Sequence, residues 1–298
     1  MELNKEQIEF LNKYTEGKWT INEKTGLVDI EGDFVCSYEK YEKLTDFKGV
    51  KFGVVTGSFY CHGNSLTSLE GAPQEVGGHF NCFNNKLTSL VGAPQKVGVG
   101  FSCRNNMLTS LEGAPQEVGG HFDCHYNSLE SLEGAPQEVG GHFDCRYNSL
   151  ESLEGAPQEV GGHFLCYNNR LTSLVGAPQK VEGSFDCHYN SLESLEGAPQ
   201  EVGGGFCCSN NSLTSLEGAP QKVGVDFYCS HNEISEKTLK LVWETIQKNK
   251  IDYWTALCIL KSEIPKSDFE KLGGELDKRL SQDAQKGYLT LDQFGLFG

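Results

Sequence analysis

The sequence predicts a β-rich solenoid, and three observations carry that prediction. Cysteines at 61, 82, 103, 124, 145, 166, 187, 208 and 229 recur every 21 residues without a slip. The text from Phe122 to His142 begins again at Phe143 with almost no change. Within each unit a short apolar–polar alternation precedes Gly-Ala-Pro, which admits no long helix. A fixed period in this range marks a chain wound into stacked coils, each touching only its neighbours. About nine 21-residue coils with one parallel sheet are expected, between an N-terminal helix-and-hairpin cap and a small C-terminal helical module. The expected divisions are 1–53, 54–232 and 233–298.

In chain order, residues 4–15 place Leu3, Phe10, Leu11 and Tyr14 near one helical stripe, with Asn4 as the N-cap. Trp19 to Ile21 and Leu27 to Ile30 flank Asn22 to Gly26 and read as a β-hairpin. Asp33-Phe34-Val35-Cys36 imitates the start of a repeat, and Leu44 to Gly49 its middle. The step from Cys36 to Cys61 is 25 residues, so this is a degenerate coil suited to an end that must face water. In a full repeat Phe122 and Cys124 point inward, while His121, Asp123 and His125 point outward from a short strand. Asn127 and its equivalents form an unbroken column where the chain turns away, and an amide can serve backbone donors and acceptors there. Leu129, Leu132 and Val139 return to the core, on a side of turns and extended chain. After Asn232 the period stops. Ser235 caps a helix through Ile246, Asp252 opens a second and Ser267 a third, together covering the last coil and its strand edge.

The net charge is -16, and the array from 54 to 232 holds 19 acidic and 7 basic residues. Such a surface repels nucleic acid and anionic membrane, so neither is an expected partner. A decoy that imitates a polyanion is the sharper reading of the same charge. No apolar run is long enough to span a bilayer, and Met1 to Glu6 lacks the pattern of a secretory signal. A cytoplasmic setting and reduced cysteines are therefore expected. The in-phase cysteines share a buried face with Phe and lack the paired spacing of a zinc site. Only Cys207, beside the in-phase Cys208, breaks the rule by facing out.

The motif Phe-x-Cys-x-x-Asn-x-Leu-x-x-Leu, with Pro a few positions later, resembles the leucine-rich repeat. Phe122 and Cys124 take its middle pair, Asn127 its asparagine and Leu129 its last leucine; Gly119 stands where its first leucine would be. The short period and extended return side resemble the bacterial class. A wider resemblance, to a group of phage-encoded leucine-rich-repeat proteins, rests on four stretches. They are Trp19 to Asp33, Val50 to Phe59, the Leu-Thr-Ser-Leu-Glu-Gly-Ala-Pro coils and Ser235 to Leu239. That resemblance implies a role in the bacterial cytoplasm during infection and implies no reaction. Pathogen effectors with similar coils carry a ligase domain with a catalytic cysteine. Here the tail is too short, and Cys258 lies in the apolar run 256–260.

The outward strand positions form one continuous face that holds most of the variation between repeats. Candidate protein-binding residues on it are His121, Asp123, His125, Tyr126, His142, Asp144, Arg146, Tyr147, His163, Tyr167, Asp186, His188 and Tyr189. Tyr and Arg are the residue types that anchor protein interfaces. Metal binding by His121, His142 and His163 beside Asp123 and Asp144 is a second reading. Catalysis is disfavoured, because a nucleophile and its base must be singular while this face is duplicated. The expectation is a non-enzymatic scaffold without cofactor or metal that binds a bacterial host protein, as monomer or homodimer. A small nucleotide or glycan ligand is the alternative.

Overall fold

The computed structural model describes residues 3–37 and 44–250, with positions 256, 263, 265, 267 and 268. Helix α1 (Lys5–Tyr14) opens with a reciprocal cap: Asn4 Oδ1 accepts from the Gln7 backbone at 2.9 Å, and Gln7 Oε1 accepts from the Asn4 backbone at 3.0 Å. Strand β1 (Thr15–Ile21) follows at once and pairs antiparallel with β2 (Val28–Val35), Thr15 lying opposite Phe34 and Ile21 opposite Val28. Its far half then starts the coil stack, with Phe34 and Val35 in parallel register with Phe59 and Tyr60.

From β2 two parallel ladders run along the molecule. One joins the Phe-containing strands rung by rung, from Phe59–Tyr60 through Phe122–Asp123 to Phe227–Tyr228. The other starts at β3 (Phe52–Val55) and joins pairs such as Glu75–Val76 and Glu138–Val139 up to Lys222–Val223. Because β2 pairs with β3 as well, both ladders belong to one sheet wrapped around the core. Both strands of each coil are only two residues long, and the Glu-Val or Lys-Val pair of the second lies between turns with no longer alternation around it.

Between the ladders lies a narrow core. Phenyl rings from Phe34, Phe59, Phe80, Phe101, Phe122, Phe143, Phe164, Phe185, Phe206 and Phe227 stack in one file, with centroids 4.9–5.6 Å apart. The in-phase cysteines and the two leucines of each coil are fully buried beside them. Each buried Phe, Leu or Val contributes about 1.5–3 kcal/mol. Both ends of the file are closed by aromatic rings. Phe10 and Tyr14 of α1 meet Phe34 at 5.6 and 6.1 Å. At the other end Trp243 stacks on Phe227 at 4.2 Å from helix α2 (Glu236–Asn249), which is capped by Ser235. The helices expected from Asp252 and Ser267 lie, but for single positions, outside the described residues.

The asparagine column does what its chemistry suggests. Asn127 Nδ2 donates to the carbonyls of Cys124 at 3.0 Å and of Cys103, one coil back, at 3.2 Å. Its Oδ1 accepts from the Leu108 backbone at 3.0 Å, and the same set recurs in the other coils. One position in each coil needs glycine: Gly134 has φ of +90°, and a Cβ there would stand 2.6 Å from the Leu111 carbonyl oxygen.

Candidate interaction face

Three devices shape the outward face of the Phe ladder. The first is a left-handed residue at the strand's exit. Asn84, Asn105, Tyr126, Tyr147, Asn168, Tyr189, Asn210 and His231 all have φ between 51 and 55°, and Gly63 has 71°. Gly and Asn visit this conformation readily, whereas a bulky side chain there costs roughly 1–2 kcal/mol. Three coils nonetheless carry tyrosine. Tyr126 and Tyr189 are 51% and 54% exposed, and Tyr126 stacks on Tyr147 at 4.5 Å. The column of Gly and Asn was the sequence signal for this geometry.

The second device is a file of side chains that accept backbone N–H groups from the next coil. His121 Nδ1 accepts from His142 N at 2.9 Å, His142 Nδ1 from His163 N at 2.7 Å, and His163 Nδ1 from Ser184 N at 2.8 Å. Ser58 and Ser184 do the same with their hydroxyls, for His79 and Gly205. The imidazoles stack at 4.4 Å. Burial, and then the neighbouring His121 and His163, hold His142 below its usual pKa, which favours the neutral, accepting form. These histidines serve the chain itself, and their Nδ1 atoms are spent on the backbone. Serine in the same column was the clue that an acceptor is required there.

The third device is a charge relay across rungs. His125 Nδ1 lies 2.5 Å from Asp123 Oδ1 and 3.3 Å from Asp144 Oδ2. Arg146 Nε stands 3.1 Å from Asp144, and Arg104 Nε 3.8 Å from Asp123. The Arg146 guanidinium also donates to the Tyr167 hydroxyl. His125 projects on the outward side as expected, yet is only 5% exposed, because the carboxylates on its own rung and the next close over it. Burial alone would lower its pKa; hydrogen bonds to Asp123 and Asp144, and their charges, outweigh that and lift it to about 9. The imidazolium is thus the centre of a set of alternating charges.

Planar groups continue this relay in both directions. His62 stacks on Phe83 at 4.1 Å, and Arg104 lies 4.5 Å over the Phe83 ring. Beyond Arg146, Tyr167 stacks on His188 at 4.3 Å, and His188 Nδ1 is 2.5 Å from Asp186 Oδ1. The structure therefore joins Asp123, His125, Asp144, Arg146 and Tyr167 in one network, with Tyr126 and Tyr147 beside it. His121, His142 and His163 form a separate file, and Asp186, His188 and Tyr189 lie one coil beyond Tyr167. Acidic side chains of the second ladder, such as Glu117 and Glu138, sit elsewhere, so the face itself is close to charge balance. No helix among the described residues is long and apolar enough to cross a membrane. No protein-family model and no curated protein sequence matches the chain.

Proposed function

We propose that the chain is a non-enzymatic scaffold of the leucine-rich-repeat type whose Phe-ladder face binds a protein partner. The observation that carries this reading is the tyrosine at left-handed positions. Tyr126, Tyr147 and Tyr189 occupy backbone that Asn takes in neighbouring coils, and they stand exposed at the rim. A strained, exposed aromatic gives the fold little, so its use lies in what it touches. Beside it the Arg104 to Tyr167 relay holds polar groups in fixed orientation, which lowers the cost of ordering them on binding. The face is long, and cavities among the described residues lie off it, against Phe52 and Gly71 and along the second ladder at Val97 and Val118, which suits a protein surface better than a small ligand.

The resemblance to phage-encoded repeat proteins favours a bacterial host protein in the cytoplasm as partner, a defence protein among the candidates, which the scaffold would inhibit or redirect. The balanced charge of the face argues against the polyanion-decoy reading. The test is affinity capture from bacterial lysate with the wild type and with a Tyr126→Ala, Arg146→Ala, Tyr147→Ala triple variant. The triple variant should keep its circular dichroism and lose the partner. Equal recovery by both proteins would move the site off this face. Heat of binding with nucleotides or glycans, and no protein recovered, would favour the small-ligand reading.

A further inference from the structure

The same two-rung constellation occurs twice on the face. Asp123 and His125 with Asp144 on the next rung form the first; Asp186 and His188 with Cys207 on the next rung form the second, three coils later. In each, one carboxylate oxygen, one imidazole nitrogen and one further ligand atom lie within 4.8 Å of one another. Their surroundings differ in a way that decides what each can do. The first is already neutralised by Arg146 at 3.1 Å from Asp144 and Arg104 at 3.8 Å from Asp123. At the second, the positions equivalent to those arginines are Tyr167 and Ser209, so no guanidinium competes for the acceptors.

The third ligand has also changed, from carboxylate to thiol. Cys207 is the one cysteine of the array outside the buried file, and it is partly exposed on the outward side. There the partly buried thiol faces the Asp186 carboxylate and Ser209 instead of the apolar core. Asp, His and Cys together form a mixed oxygen, nitrogen and sulfur set of the kind that zinc accepts. The ring of Tyr167 stacked on His188 at 4.3 Å, with Tyr189 tilted against it at 5.1 Å, fixes the plane of the imidazole.

We propose that Asp186, His188 and Cys207 bind a zinc ion, with the fourth position open to solvent. Two such ligands on a tetrahedral zinc stand about 3.3 Å apart. The ion therefore inserts between Asp186 and His188, replacing their 2.5 Å hydrogen bond. The Cys207 thiol gives its proton to solvent as the zinc–sulfur bond forms, so affinity rises with pH. Spacing along the chain conceals this site, because Asp186 and Cys207 are 21 residues apart and meet only as rung partners.

The test uses the full chain, stripped with chelator, kept reduced and titrated with cobalt(II) alone. One equivalent should bring up thiolate-to-cobalt charge-transfer absorption, which one equivalent of zinc(II) then abolishes. Cys207→Ser should remove that absorption and weaken zinc binding on the order of 100-fold or more. Asp123→Asn, at the arginine-filled constellation, should leave both unchanged. Absorption that never develops in the wild type, or that survives Cys207→Ser, overturns the proposal. Should Cys207→Ser lose its native circular dichroism, His188→Ala carries the same comparison: zinc binding as tight as the wild type overturns it.

Discussion

Tyr189 sits between Asn168 and Asn210 in its column, at the same backbone angles, so the three residues compare side chains at constant geometry. The left-handed conformation brings a Cβ close to the following carbonyl, and asparagine offsets that cost better than tyrosine. Tyr189 recovers little in return, being 54% exposed with one tilted ring contact at 5.1 Å to His188. Tyr189→Asn should therefore raise stability by about 0.5–1 kcal/mol. Urea denaturation checks this, and a loss of stability would mean the ring packs in a way that offsets the strain. If the face binds as proposed, the same substitution weakens capture, so stability and function move in opposite directions at one residue. His125 shows what a single chain position cannot reveal. Its outward direction was legible from the alternation of the strand, but the enclosure shared by Asp123 and Asp144 involves a second rung that the strand's own alternation does not show.

The ladders are where one-dimensional pattern and three-dimensional contact meet most closely. Phe122, Cys124, Leu129 and Leu132 were legible as core because burial repeats with the coil, and so was the amide role of Asn127. The second strand of each coil was not, since Glu138–Val139 offers one exposed and one buried position between turns and no longer alternation to mark a strand. The acceptor role of His121 was hidden for another reason: its partner is the N–H of the next coil, identical in all sequences. Removing one amide tests the ladder as a unit. Asn127→Ala leaves the Leu108 N–H and the Cys103 and Cys124 carbonyls without that partner. The expected cost is about 2–3 kcal/mol by urea denaturation. Ser128→Ala, at the neighbouring exposed position, should stay within about 0.5 kcal/mol. Equal effects would mean that water replaces the amide inside the stack.

At the scale of the whole molecule, the thiols predict sensitivity to alkali. Burial raises the pKa of Cys61, Cys82, Cys103, Cys124, Cys145, Cys166, Cys187 and Cys208 well above 9.0, and that of Cys229 to about 12. In the unfolded chain the same groups ionise near 9.0. The folded state thus holds more protons above that value, and the stability these thiols contribute is intact below about pH 9 and lost as pH rises further. Each such thiol steepens the loss by about 1.4 kcal/mol per pH unit. His125 adds a gentler decline with the same sign, beginning near its unfolded value of 6.5 and ending near 9. Thermal midpoints measured against pH should fall abruptly above about pH 9; a flat profile to about pH 11 would place the thiols in water. The aromatic file has a different consequence. Its two lids are unlike each other and unlike the links between them, while the interior links are interchangeable. The molecule can therefore lose a whole turn, residues 128–148 for instance, and still close at both ends. Deleting 20 residues instead would carry every later phenylalanine out of the file. Distances along the outer strip then change only in steps of roughly 4.8 Å, like notches on a ruler.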